Sequence, residues 1–109
     1  MIDAGALQAY RDGTILPNWD GKVSATSLEA TRVTLRQLAV ALIATAPDTS
    51  LERIGTLFVA CVERFNELDM EDQFICTIER EDICEELNRL GDLCGVSDSV
   101  DEWLDNRDW

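Results

Sequence analysis

Between residues 51 and 68 the apolar side chains Leu51, Ile54, Leu57, Phe58, Cys61, Val62, Phe65 and Leu68 recur every three or four positions. A helix places residues at that spacing on one side, so this stretch must bury a continuous stripe against something else. Leu28, Leu35, Leu38 and Leu42 repeat the pattern upstream, and Ala46-Pro47 is expected to stop that helix, because the residue before proline is pushed out of the helical region. A connection of about five residues between the two makes an antiparallel hairpin, expected at the centre of the core.

Start signals accompany these runs. Thr26-Ser27-Leu28-Glu29, Thr49-Ser50-Leu51-Glu52 and Ser99-Val100-Asp101-Glu102 each read as a capping box, a hydroxyl followed three residues later by glutamate. Two further helices are expected, a first from about Ala4 to Arg11, ended by Asp12-Gly13, and a fourth from about Glu79 to Cys94. Ile83, Leu87, Leu90 and Cys94 would be buried by the fourth, and Gly95 is placed to close it in a left-handed conformation. Ile15, Leu16 and Trp19 should pin the irregular stretch after the first helix. Asp69 to Asp72 reads as an acidic connection, and residues 74–78 read equally as extended chain or as early helix. The fold expected is all-α, one acidic domain over 1–109 with about five helices around the hairpin.

A chain of 109 residues is long enough for one core, burying roughly 60–65% of its unfolded surface without metal or disulfide support. No apolar run approaches the roughly 18–20 residues of a membrane span, and the first residues lack a secretory pattern, so the expected location is cytoplasmic. Cys61, Cys76, Cys84 and Cys94 form no Cys-x-x-Cys pair and are expected to be buried free thiols.

Charge is the other dominant feature. The 109 residues carry a net charge of −13. Residues 1–62 hold six acids and five bases, whereas residues 63–109 hold sixteen acids and four bases. Such a field repels nucleic acid and anionic membranes and attracts basic proteins. Catalytic chemistry finds little support. The absence of histidine excludes serine–histidine and cysteine–histidine nucleophiles, and the only lysine, Lys22, lies in no phosphate loop. A calcium loop begun at Asp69 would need glycine sixth and glutamate twelfth, where Phe74 and Arg80 stand. Glu102-Trp103-Leu104-Asp105 matches half of the magnesium-binding pattern of all-helical pyrophosphohydrolases, without the preceding Glu-x-x-Glu. Gly91 and Gly95 read as a tolerated helix glycine followed by a cap. No catalytic residue, metal or cofactor is expected.

The carboxylates are the better candidates. Glu79, Glu81, Asp82, Glu85 and Glu86 crowd the fourth helix, with Arg89 placed to pair with Glu85 or Glu86. Asp101 and Glu102 follow near the C-terminus. Trp103 and Leu104 would dock the last helix, which leaves Trp109 as the aromatic contact for an arginine- or lysine-rich partner. In size, acidity, helicity and lack of catalytic residues the chain resembles small bacterial immunity proteins of contact-dependent inhibition and related toxin systems. The resemblance implies one-to-one blockade of a toxin domain, a basic nuclease above all, by an acidic face. It carries over no site residues, because such proteins have many unrelated folds. Two other readings remain open: a nucleic-acid mimic that regulates a DNA- or RNA-binding protein, and a structural or adaptor domain.

Overall fold

The two long runs are helices packed on each other, and the rest of the chain is arranged around them. A computed structural model describes residues 2–45 and 50–109. The order is α1 (Ala4–Asp12), a 3-10 turn (Pro17–Trp19), α2 (Ala25–Thr45), α3 (Leu51–Asp72), α4 (Thr77–Leu93) and α5 (Ser97–Leu104). Helices account for the expected all-α bundle. Helices α2 and α3 run antiparallel, since Ser27 near the start of one hydrogen-bonds Asp72 at the end of the other. Leu28, Leu35, Leu38 and Leu42 face Ile54, Phe58, Cys61, Val62 and Phe65 across one core. The expected stop at Ala46-Pro47 lies outside the described residues. No helix among those described is long and apolar enough to cross a membrane.

Three expected boundaries move. Helix α2 begins at Ala25, and the hydroxyl of Ser24 accepts the Ser27 N–H at 3.1 Å, so the cap precedes Thr26. Helix α3 is capped by Ser50, whose hydroxyl accepts from Arg53. Helix α5 begins at Ser97 behind Val96, with no side-chain cap. Several hydroxyl residues lie close together at the first two sites, Ser24, Thr26 and Ser27 at one and Thr49 and Ser50 at the other, and the register of the buried face selects among them.

The acidic stretch 69–72 is the last turn of α3 rather than a connection. Carboxylates at a helix C-terminus oppose its dipole, but two of them find local donors. Asp69 accepts the Ile75 N–H at 2.9 Å, and Asp72 accepts the Ser27 hydroxyl. Residues 74–76 are then irregular, with Ile75 buried, and helix resumes at Thr77. Ile78, on its first turn, is 67% exposed. Leu51 also lies outside the stripe expected to bury it, at 54% exposed.

Gly95 closes α4 at φ 72°. Its N–H donates to Asp92 O at 3.1 Å and that of Val96 to Gly91 O at 2.9 Å, the double closure of a Schellman motif. Gly91 itself is more than a tolerated residue, because a Cβ there would sit 2.4 Å from Val100 Cγ2. Gly55 does the same on α3, where a Cβ would lie 2.8 Å from Trp103 Nε1. Helix α5 is therefore seated between two bare stretches of backbone.

The stretch after α1 is pinned as expected, with Ile15, Leu16 and Trp19 buried. Arg32 makes the fastening: its Nε donates to Ile15 O at 2.7 Å and its Nη2 to Leu16 O at 3.2 Å. These bonds hold Leu16 at φ 54°, a left-handed conformation a leucine seldom adopts.

An acidic groove with an indole floor

The carboxylates of α4 divide by the direction each side chain takes. Ile83, Leu87 and Leu90 are fully buried and turn the helix so that Glu81 and Glu85 point to solvent. Asp82 and Glu86 point back toward the N-terminal segment. Asp82 accepts the Trp19 indole N–H at 2.9 Å, and Glu86 accepts the Tyr10 hydroxyl at 2.9 Å. Burial, then the negative charge of Glu86, raises the Tyr10 phenol far above its ordinary value. Glu79 is occupied as well, its carboxylate accepting the Cys76 N–H at 3.0 Å across the first turn of α4. Arg89 lies over the Tyr10 ring at 5.5 Å rather than pairing with Glu85 or Glu86. Of the five acids singled out on α4, Glu81 and Glu85 are thus the exposed ones.

Trp109 needs correction as a contact residue. It is 7% exposed and stands edge-on to Phe65, with ring centroids 5.9 Å apart. Phe65 is itself fully buried, so the indole completes the core. Asn66 ties the tail down, donating to Asn106 O at 3.0 Å and accepting the Asp108 N–H at 2.8 Å. Asp101 is exposed on α5, within electrostatic reach of Cys84.

The remaining predicted residue, Glu102, belongs to a more complete arrangement. It lines an open groove of about 610 Å³ between α3 and α5, together with Glu52, Gly55, Val59, Glu63 and Trp103. Glu52, Val59 and Glu63 fall at i, i+7 and i+11 on α3, which spreads the two carboxylates about 16 Å apart along one face. Trp103 supplies the floor. Its indole packs on Phe58 at 5.0 Å between centroids and 35° between planes, and against the bare backbone of Gly55. The ring is half-buried, held on one side and open on the other. An aromatic framed by carboxylates is what the C-terminal sequence led us to expect, but the ring is Trp103, and α3 contributes two of the three acids.

Glu52, Glu63 and Trp103 were missed as a site because α3 meets α5 only in the tertiary structure. The available signal was Gly55, a glycine interrupting the apolar stripe of α3 where something bulky has to lie against the helix. The thiols separate too: Cys61 and Cys94 are buried, Cys84 is half-buried, and Cys76 is exposed at the start of α4. Burial pushes Cys61 up to about 12 and Cys94 up to about 11, so neither is a thiolate near neutral pH. Among the described residues no group of three or more Cys, Asp or Glu side chains is placed to hold a metal ion. The chain matches no family model, and it shows no significant similarity to a curated protein or to a solved structure.

Proposed function

We propose that this protein is a binding protein rather than an enzyme, and that it blocks a basic protein partner through the α3–α5 groove. The observation that carries the reading is the half-buried Trp103 floor framed by Glu52, Glu63 and Glu102 in an open groove. A guanidinium or ammonium over an indole face gains roughly 0.5–2 kcal/mol, more as water is excluded. The surrounding carboxylates add speed of encounter and selectivity for cationic segments more than raw affinity. Glu81 and Glu85, exposed on α4, add to the negative charge of the surface.

An immunity protein that neutralises a nuclease toxin is the concrete form of this reading. Nucleases carry positive surfaces because they hold phosphates, and such a surface complements a chain at −13. A mimic of a nucleic-acid duplex receives less support. It would need an unbroken row of outward carboxylates, and Asp82 and Glu86 are engaged inside the molecule.

The reading requires a partner gene beside this one, encoding a larger protein with a basic C-terminal domain. Calorimetric titration with that purified domain is expected to give one-to-one binding that weakens as salt rises. Joint Glu63→Lys and Glu102→Lys substitution should lower affinity about tenfold or more and flatten the salt dependence. Trp103→Ala should lose a similar factor with the salt dependence intact. A partner that binds both variants as tightly as the wild type would sink the proposal.

A further inference from the structure

Helix α2 presents a second open surface of the opposite character. From Ala30 to Thr45 the chain contains Arg32 and Arg36 and no acid, although it holds 22 acids in all. Val33 is 38% exposed and Val40 47% exposed, and they share one patch rather than standing singly. With Ala41 and Ala44 they floor a shallow groove of about 390 Å³, flanked by Arg11 and Arg36. Val33, Val40, Ala41 and Ala44 fall at i, i+7, i+8 and i+11, a straight stripe about 16 Å long over three turns. That is the footprint left by one short helix laid along another.

The cations give the occupant its chemistry. Arg36 Nε donates to the Arg11 carbonyl at 3.2 Å, which holds its guanidinium at the groove's edge. No carboxylate among the described residues pairs with it. Arg11 pairs at 2.9 Å with its exposed neighbour Asp12, a contact of the kind that contributes little in water. A second copy of the chain is a poor occupant. Symmetric pairing would bring two arginine-flanked faces together, in two molecules each at −13. A strip about 16 Å long and about 10 Å wide is far below the ~800 Å² per partner of a stable dimer and suits a weak, transient contact with a short helix instead.

We propose that the α2 face docks an amphipathic helix of another protein, one whose apolar stripe is bordered by carboxylates. Two synthetic peptides of about 14 residues test it, each carrying leucines at i, i+3, i+4, i+7 and i+11. One has glutamates along both borders of the stripe and the other has lysines. Each is titrated into the ¹⁵N-labelled full chain and followed by amide chemical shifts. The glutamate peptide is expected to bind with a micromolar Kd, moving the signals of Val33, Val40 and Ala44, and the lysine peptide about tenfold more weakly or worse there. Arg36→Glu should invert that preference and Val40→Glu should weaken both peptides. Trp103→Ala should leave the glutamate peptide's affinity unchanged, which separates this face from the α3–α5 groove. Equal binding of the two peptides overturns the proposal, as does binding of neither. So does shift perturbation away from α2, or a dimer seen by sedimentation that Val40→Glu dissolves.

Discussion

Helices α2 and α3 are near twins inward and opposites outward. They contain 21 and 22 residues, run antiparallel, and bury leucines, phenylalanines and small side chains in a shared core. Outward, α3 carries six acids against two bases, Arg53 and Arg64, while the last four turns of α2 bear Arg32 and Arg36 and no acid. The inward pattern satisfies packing and leaves little freedom. The outward pattern is free to vary, and its contrast between neighbouring helices is what both proposals rest on, since either pattern alone would provide solubility.

The comparison breaks most easily in the core. Leu35→Ala on α2 is expected to cost about 2–5 kcal/mol and Phe65→Ala on α3 about 3–5 kcal/mol, read from chemical denaturation. Val40→Glu and Glu63→Gln should each stay within about 0.5 kcal/mol of wild type, because both side chains face water. If the outward pair proves as damaging as the inward one, the division drawn here is wrong.

A smaller effect is expected where α5 meets its neighbours. Gly91→Ala sets a methyl 2.4 Å from Val100 Cγ2, against a side chain that is fully buried. Overpacking of this sort costs about 1–3 kcal/mol, more than the helix-propensity gain of about 1 kcal/mol offsets. Gly5→Ala is the contrast, since a Cβ there meets only Asp3 Oδ1 at 3.7 Å. It should leave stability unchanged or slightly raised.

A further loss, the size of one hydrogen bond, is expected where the acids of α4 meet the N-terminal segment. Tyr10→Phe removes one hydrogen bond to Glu86 and is expected to cost about 1 kcal/mol. Titration gives an independent check. The folded phenol holds its proton more tightly than the unfolded one, so its contribution is complete below the ordinary value of about 10 and is lost as pH rises beyond it. Cys61 and Cys94 shift in the same direction, but tyrosinate absorbance isolates the single tyrosine. That absorbance should stay flat through pH 10 in the folded protein and rise normally in urea. A normal titration of the folded chain would mean that the Tyr10 ring is neither buried nor bonded to Glu86.

Local features of the sequence were legible. The spacing of Leu28 to Leu42 and of Ile54 to Leu68 is enough for the hairpin, and Gly95 marks the end of α4, because helical period and left-handed closure depend on near neighbours. The destinations of the carboxylates were not. Glu86 meets Tyr10 across 76 positions and Asp82 meets Trp19 across 63, so a row that reads as solvent-facing is half consumed internally. Trp109 was misread for the same reason: its partner Phe65 belongs to α3, and nothing near the C-terminus in sequence announces a vacant place over that ring.

The seating of α5 on Gly55 and Gly91 has a consequence for how this surface is able to diversify. Bare main chain at Gly55 and the buried ring of Phe58 set the height at which the indole rests, while Gly91 receives Val100 of the same helix, like a keel lying in two notches. Positions 52, 63 and 102 can then exchange charge, size or hydrogen-bonding character while the ring between them keeps its level. Under the proposed reading, a change of target would then require a new rim alone, with the helix beneath it left as it is.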